Sequence, residues 1–254
     1  MTNSVNTVLR WTGRELELAA AGPAAALLVA DSWLVDAGRV RAADAHWARF
    51  GGSCAQLGID HDELARFRSA AAAALPGEGR WFPRVELTAA GLALRVRDAP
   101  PSSQEAHAIV ASPGDPRREP QRKGPDLELL GGLRRRALER GADEVILCDD
   151  AGGLLEGAYS SLLWWEGDVL CTTPDERVLA GVTRALLLEI ARERGVEVRM
   201  RSPRPEELAG AETWLTSALH GIRVVSAWIA PSIDAGAGLR APDWRAELDS
   251  VVGR

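Results

Sequence analysis

A proline-rich segment near the middle of the chain divides the sequence into two parts. Residues 113–126 read PGDPRREPQRKGPD and contain four prolines, two glycines and many charged side chains. Proline lacks a backbone donor and glycine favours turns, so a stretch of this composition neither continues a helix nor pairs inside a sheet. The 254 residues are enough for two domains. We therefore predict a smaller N-terminal domain at residues 1–112, a linker at 113–122 and a larger C-terminal domain at 123–254.

The spacing of apolar residues predicts both strands and helices in the N-terminal part. Alternating stretches within residues 7–36 and 81–98 indicate antiparallel strands joined by short turns. Residues 44–59 have helical spacing despite the internal glycine pair Gly51–Gly52. A second helix is expected to begin with Asp60 as its N-cap and to end near Gly77.

The C-terminal part has the same mixed character. A helix is expected directly after the linker, with Asp126 as its N-cap and Gly141 just past its end. A hairpin around residues 166–168 and a long amphipathic helix at 178–195 follow. Because strands and helices alternate without a strict βαβ period, the pattern predicts an α+β fold and disfavours a doubly wound sheet.

One residue of the proline-rich segment has unusual chemical significance. Lys123 is the single lysine of a chain that contains 29 arginines. Arginine serves for solvated positive charges, whereas only lysine supplies an amine that can lose its proton and condense with a carbonyl group. The alternative is that an arginine-biased composition left one lysine on the surface by accident.

The composition of the chain argues against several classes of binding partner. A net charge of -6 and a pI near 5.4 argue against a general nucleic-acid-binding protein. Three cysteines without CxxC spacing fit reduced thiols, and we predict no metal site. The alanine-rich run at residues 19–30 is interrupted by Gly22 and Pro23 and is too short to span a bilayer, and no signal peptide is visible. We expect a cytoplasmic protein that makes no contact with membranes.

Several short motifs follow Lys123 in a characteristic order. They are GADEVIL at 141–147, DDAGGLLEG at 149–157, CTTP at 171–174 and LAGVTR at 179–184. HWARF at 46–50 precedes the lysine, and TSALHGIRVV at 216–225 lies near the end. Together these pieces resemble the fold-type IV pyridoxal-phosphate enzymes, the class IV aminotransferase family, and among them the aminodeoxychorismate lyases most closely.

The resemblance implies pyridoxal 5'-phosphate as cofactor and a role for each matching residue. Lys123 would form the Schiff base with the cofactor and then move the proton at the substrate carbon. Glu156 would keep the pyridine nitrogen protonated, which makes the ring an electron sink; alternatively, it is a solvated turn carboxylate. The helix start at Gly181, Val182 and Thr183 would bind the phosphate through backbone N–H groups.

The resemblance also implies contacts with the cofactor and the substrate through less distinctive motifs. Arg49 would contact the cofactor phosphate, and Ser217 and Ala218 would lie against it. His46 is expected to be a structural neighbour of Arg49. The predicted substrate-binding residues are Arg84, His220 and Arg223, although solvated or salt-bridged roles are an open alternative for the arginines.

Three positions depart from the family pattern. Asp126 stands where the lyase and D-amino acid branches have asparagine three residues after the lysine. Ser160–Leu163 replaces the family's S-N-L-F, and Val224 replaces the proline of its P-V pair. These differences concern the identity of the substrate and leave the core chemistry in place.

The resemblance implies a homodimer that holds its cofactor between the two domains and acts on a small-molecule amine or amino acid. We expect a lyase that releases pyruvate and forms 4-aminobenzoate. A branched-chain or D-amino acid transaminase is the alternative within the family. A protein that binds pyridoxal phosphate without catalysis is the alternative from another class.

Overall fold

The alternating stretches of the N-terminal part form antiparallel strands, as predicted. A computed structural model describes residues 6–19 and 25–251, so Gly22 and Pro23 of the alanine-rich run lie outside the described residues. The strands are β1 (Asn6–Trp11), β2 (Leu16–Leu18), β3 (Leu27–Ser32), β4 (Val35–Asp36), β5 (Arg39–Val40), β6 (Arg80–Trp81), β7 (Arg84–Thr88) and β8 (Gly91–Arg97). One sheet has the order β2-β1-β8-β7-β3, which leaves β3 at its edge, and a small sheet has the order β5-β4-β6.

Two helices cover this part of the molecule, α1 (Ala43–Ala55) and α2 (His61–Ala74). The predicted cap of α2 is confirmed, because the Asp60 carboxylate accepts hydrogen bonds from the amides of Asp62 (2.9 Å) and Glu63 (3.0 Å). Phe50 of α1 and Phe67 of α2 are fully buried against the sheet. Burial of these aromatic side chains supplies much of the apolar area that holds the helices in place.

A larger sheet organises the C-terminal part. Its strands are β9 (Glu105–Val110), β10 (Glu144–Cys148), β11 (Leu154–Gly157), β12 (Ser161–Glu166), β13 (Val169–Thr172), β14 (Val198–Met200), β15 (Thr213–Ser217) and β16 (Gly221–Ala230). Their order is β11-β10-β9-β16-β15-β12-β13-β14. Strand β9 runs parallel to both of its neighbours, and β13 runs parallel to β14, while the remaining pairs are antiparallel. Together with the helices, this mixture confirms the predicted α+β class.

The helices of this part are α3 (Leu127–Glu139), α4 (Val182–Glu193) and α5 (Ala241–Ser250), with 3-10 turns at Asp175–Arg177 and Pro205–Leu208. Helix α4 begins later than the predicted start at residue 178, because residues 178–181 remain extended and Gly181 occupies the N-cap position. Gly141 follows α3 with a φ of 81°, as expected of a glycine that ends a helix.

The predicted N-cap position of Asp126 is confirmed, but the side-chain capping contact that usually accompanies it does not form. Asp126 occupies the N-cap position of α3, but its side chain caps no amide of the helix. Its carboxylate instead accepts hydrogen bonds from the amides of Arg118 (3.1 Å) and Glu119 (2.9 Å). Asp126 therefore orders the proline-rich segment.

The described residues fall into two units. The first comprises residues 6–19, 25–101, 122–125 and 251, and the second comprises 102–121 and 126–250. Lys123 thus groups with the N-terminal unit, and the domain boundaries given above stay predictions. Within the described part of the chain, no helix combines the length and apolar character needed to cross a bilayer.

Candidate active site

Lys123 lies on a short segment that runs along the edge strand β3. Its carbonyl oxygen accepts a hydrogen bond from the amide of Ala30 at 2.7 Å. The next residue, Gly124, has a φ of 142°, and a Cβ placed there would lie 2.8 Å from Cα of Val29. Only glycine permits this backbone conformation and so close an approach. The sequence Lys-Gly therefore fixes the lysine against the strand.

The amine of Lys123 has no hydrogen bond or ion pair with any described residue. Burial, together with the positive charges of Arg49, Arg97 and Arg84, lowers the pKa of Lys123 to about 8, while Asp31 acts in the opposite direction. Part of the residue stays accessible to solvent. Lys123 therefore carries an amine that loses its proton closer to neutral pH than a solvated lysine does.

Asp31 is the centre of a buried network beside this lysine. Its carboxylate accepts two hydrogen bonds from Arg49, from Nε and Nη2, each at 2.8 Å, and lies 2.9 Å from Nδ1 of His46. Burial acts to raise the pKa of Asp31, but the Arg49 charge and these hydrogen bonds hold it well below its usual range. Burial lowers the pKa of His46. His46 and Arg49 thus contact the same carboxylate.

The predicted substrate arginine of this unit has a carboxylate partner within the protein. Arg84 donates to Glu86 from Nε at 2.7 Å, and Arg95 donates to the same oxygen at 2.8 Å. Arg97 donates from Nε to the carbonyl oxygen of Phe82 at 2.6 Å and lies over its ring. These contacts orient three guanidinium groups on neighbouring strands β7 and β8.

Glu156 is buried on β11 in the second unit. Its Oε1 accepts a hydrogen bond from the amide of Leu179 at 2.8 Å and another from Nη1 of Arg117. Burial raises the pKa of Glu156 to about 7 despite the opposing effect of Arg117. Glu156 is therefore not the solvated turn carboxylate of the alternative interpretation, since only 6% of its side chain is exposed.

A small polar cradle lies at the start of helix α4. The N-cap residue of this helix, Gly181, has no side chain to cap the amides that follow, and the helix begins at Val182. A Cβ at Gly181 would lie 2.3 Å from Oγ of Ser161, so the backbone approaches that hydroxyl closely. Thr216 lies opposite Ser161 in the sheet, and its buried hydroxyl has no hydrogen-bond partner among the described residues. Uncapped helix amides and an unpaired hydroxyl are groups that a phosphate can satisfy.

The other predicted residues of this unit lie on β15, β16 and the turn between them. Ser217 ends β15, Ala218 begins the turn, and the Oγ of Ser217 accepts a hydrogen bond from the amide of His220 at 3.3 Å. His220 accepts a hydrogen bond from the amide of Ser103 at 3.1 Å. Burial and the positive charge of Arg223 lower the pKa of His220 to about 4, so its ring is neutral at pH 7.

Arg223 is buried and engaged with two carboxylates. Its Nη1 contacts Asp143, and its Nη2 donates to Glu144 at 3.1 Å. Only 4% of its side chain is exposed. Like Arg84, Arg223 therefore forms salt bridges within the protein.

Among the residues that contact predicted site residues, Asp31 and Arg117 were not predicted from the sequence. Asp31 had one signal in the sequence, because it directly follows the apolar stretch LLVA at residues 27–30. Arg117 had no signal in the sequence, because composition cannot distinguish a buried arginine from a solvated arginine in a charged, proline-rich segment.

Comparisons with known proteins agree with the motifs. A protein of Methanocaldococcus jannaschii, provisionally named branched-chain-amino-acid aminotransferase, is 37% identical over 59 residues. The match covers 23% of this chain and 20% of that relative, well under two thirds of its length.

Solved structures share the fold over nearly the whole chain. A fold IV-transaminase from Curtobacterium pusillum is 24% identical, with a TM-score of 0.77 over 96% of this chain and 97% of its own. A hypothetical aminotransferase from Mycobacterium tuberculosis, with alpha-ketoglutarate and PMP bound, is 21% identical, with a TM-score of 0.80 over 96% and 98%. The same protein is also known in a PLP-bound form.

A protein of Legionella pneumophila, provisionally named 4-amino-4-deoxychorismate lyase, is 19% identical, with a TM-score of 0.73 over 88% of this chain and 90% of its own. These likenesses confirm the fold-type IV architecture. The model of the family described as amino-transferase class IV matches residues 28–228. Because this match extends over most of the sequence, the chain belongs to the class IV aminotransferase family.

Proposed function

We propose that this chain is a pyridoxal-phosphate-dependent enzyme in which Lys123 removes a proton from the substrate carbon that bears the amino group. The observation that carries the proposal is the amine of the single lysine, which has no hydrogen bond or ion pair with any described residue and is held at a pKa of about 8. At pH 7 about a tenth of such amines are neutral, against fewer than about one in a thousand at the ordinary pKa of lysine. A general base works best with a pKa close to the working pH.

The cofactor, when bound, supplies an electron sink for the carbon that loses its proton. Glu156 would hold the protonated ring nitrogen through a buried carboxylate. Gly181, Val182 and Thr183 would bind the phosphate through the uncapped start of α4. The proposal also retains the following predicted contacts: Arg49, Ser217 and Ala218 with the cofactor, and Arg84, His220 and Arg223 with the substrate.

We infer that the substrate is aminodeoxychorismate, from which proton removal and loss of the enolpyruvyl group yield 4-aminobenzoate and pyruvate. The inference is supported by the segment at residues 216–225 and by the fold shared with the Legionella protein. Aminodeoxychorismate carries two carboxylates, and several arginines act on Lys123 electrostatically. Positive charge at this position favours an anionic substrate.

Amino acid transamination is the second candidate. It is favoured by the partial match to the Methanocaldococcus protein and by the two transaminase-like structures of similar fold. In that reaction Lys123 would return the proton to the cofactor and a keto acid would be released.

The two candidates are separated by product analysis of the purified enzyme. Pyruvate is measured with lactate dehydrogenase and 4-aminobenzoate by chromatography after addition of aminodeoxychorismate. Parallel reactions contain branched-chain or D-amino acids with 2-oxoglutarate, and Lys123→Ala is the control. We expect equal amounts of pyruvate and 4-aminobenzoate. Keto acid formation without 4-aminobenzoate would overturn the lyase assignment in favour of transamination.

We also propose that the chain is a homodimer. The second unit exposes three large apolar side chains on or near α3, namely Leu129, Leu138 and Tyr159. Light scattering after size-exclusion chromatography should give twice the chain mass of 27.2 kDa. A mass equal to that of one chain at micromolar concentration would contradict the dimer.

A further inference from the structure

Arg117 connects the proline-rich segment to Glu156. Its Nε and Nη2 each donate to Asp115 at 2.9 Å, and Nη2 also donates to the carbonyl oxygen of Arg177 at 2.9 Å. Its Nη1 contacts Oε1 of Glu156. Only 4% of the Arg117 side chain is exposed. Every nitrogen of this buried guanidinium therefore has an acceptor, and the group has one fixed orientation.

The contacts of Glu156 are distributed unevenly between its two oxygens. Oε1 receives both the amide of Leu179 and the guanidinium of Arg117. Oε2 receives no hydrogen bond from the described residues. The charged groups that act on this carboxylate are Arg117 and, more weakly, Arg184. One oxygen is thus held by the protein, and the other has an unused hydrogen-bonding capacity.

A carboxylate that is buried without a positive partner takes up a proton near neutral pH. Burial raises the pKa of Glu156 to about 7, and Arg117 is the largest influence that opposes this rise. Without Arg117, Glu156 would be largely protonated at pH 7. A neutral carboxylic acid cannot stabilise a protonated ring nitrogen as a carboxylate can.

We propose that Arg117 is a positioning residue that orients Glu156 through Oε1 and favours its ionised form, so that Oε2 can hold the protonated ring nitrogen of the cofactor, with Asp115 fixing Arg117. This inference rests on the proposed function, because it requires Glu156 to act on that nitrogen. Arg117 itself acts only through Glu156.

The test compares two ligands that differ at one atom. Apoprotein is titrated with pyridoxal phosphate and with 1-deazapyridoxal phosphate, in which a C–H group replaces the ring nitrogen. We expect Arg117→Met to weaken pyridoxal phosphate binding roughly tenfold, as is typical for loss of a group that orients a ligand-binding residue. Binding of the deaza analogue should be unchanged. In a Glu156→Gln background, Arg117→Met should cause no further loss.

Matched variants control for folding and for charge. Arg118→Met changes the adjacent arginine, which is exposed, and should bind both ligands as the wild type does. Arg117→Lys retains the positive charge and should recover part of the lost affinity. If Arg117→Met fails to fold, Asp115→Asn supplies the same comparison, because it loosens the guanidinium without removing it.

Equal weakening of both ligands by Arg117→Met, or no weakening of either, would overturn this inference and leave Arg117 a purely structural residue. Additive effects of Arg117→Met and Glu156→Gln would also overturn it. A wild-type protein that binds neither ligand would instead refute the proposed function itself. The two failures are therefore distinguishable.

Discussion

The carbonyl oxygen of Lys123 accepts a hydrogen bond from the amide of Ala30, one residue before the buried Asp31. This contact joins the single lysine to an edge strand that also carries its strongest negative neighbour. The position of the amine therefore depends on backbone contacts that only a glycine at position 124 allows.

Gly124→Ala should destabilise the protein and displace the lysine. The new methyl group would lie 2.8 Å from the Val29 Cα, in a backbone conformation with positive φ. We expect a loss of about 3 kcal/mol in the free energy of unfolding, measured by denaturant titration. Gly132→Ala is the control, since it lies inside α3 with only flexible arginine ends nearby, and should stabilise by about 1 kcal/mol. Equal stability of the two variants would refute this role for Gly124.

The ionisation of Lys123 can be observed directly because the chain has no other lysine. Apoprotein labelled with 13C-lysine should give one Cε resonance that titrates with a midpoint near pH 8, below the ordinary value of 10.5. The Asp31 carboxylate raises the pKa of Lys123, so Asp31→Asn should lower the midpoint further.

Asp44→Asn, which changes an exposed carboxylate on α1, should leave the midpoint of the Lys123 titration where it is. A wild-type midpoint near 10.5, or a midpoint that rises in Asp31→Asn, would show that the surroundings of the amine are not those described.

Gly181→Ala should weaken binding of the cofactor phosphate. The added Cβ would lie 2.3 Å from Oγ of Ser161, which forces the start of α4 to shift. The variant should therefore lose most of its preference for pyridoxal phosphate over pyridoxal, measured as the ratio of the two dissociation constants.

Removal of the hydroxyl relieves the contact, so Ser161→Ala combined with Gly181→Ala should regain part of this ratio. An unchanged ratio in Gly181→Ala would exclude the α4 start as the phosphate site.

Local signals explain which parts of the fold and site the sequence predicts. Asp60 caps its helix because the capping interaction needs only the three residues that follow it. Asp126 is also an aspartate directly before a helix, but its carboxylate accepts hydrogen bonds from the amides of Arg118 and Glu119. These donors belong to the same proline-rich segment, but local propensity does not predict the path of an irregular segment that folds back on the helix start.

Among the site residues, too, some are predicted by local motifs and others depend on tertiary contacts. Lys123 and Glu156 are recognisable from motifs at fixed spacing. The salt bridge of Arg223 with Glu144, and the burial of Asp31 and Arg117, depend on contacts between distant stretches of chain. In a sequence with 29 arginines, composition cannot indicate which guanidinium groups are buried.

The most direct test of the central claim is an absorption spectrum of the purified protein with pyridoxal phosphate, followed by borohydride reduction and peptide mapping by mass spectrometry. We predict a visible band that disappears on reduction, with the cofactor then fixed to the peptide that contains Lys123, and no band in Lys123→Ala. A protein that stays colourless with pyridoxal phosphate, or a cofactor that reduction fixes anywhere other than Lys123, would contradict the account.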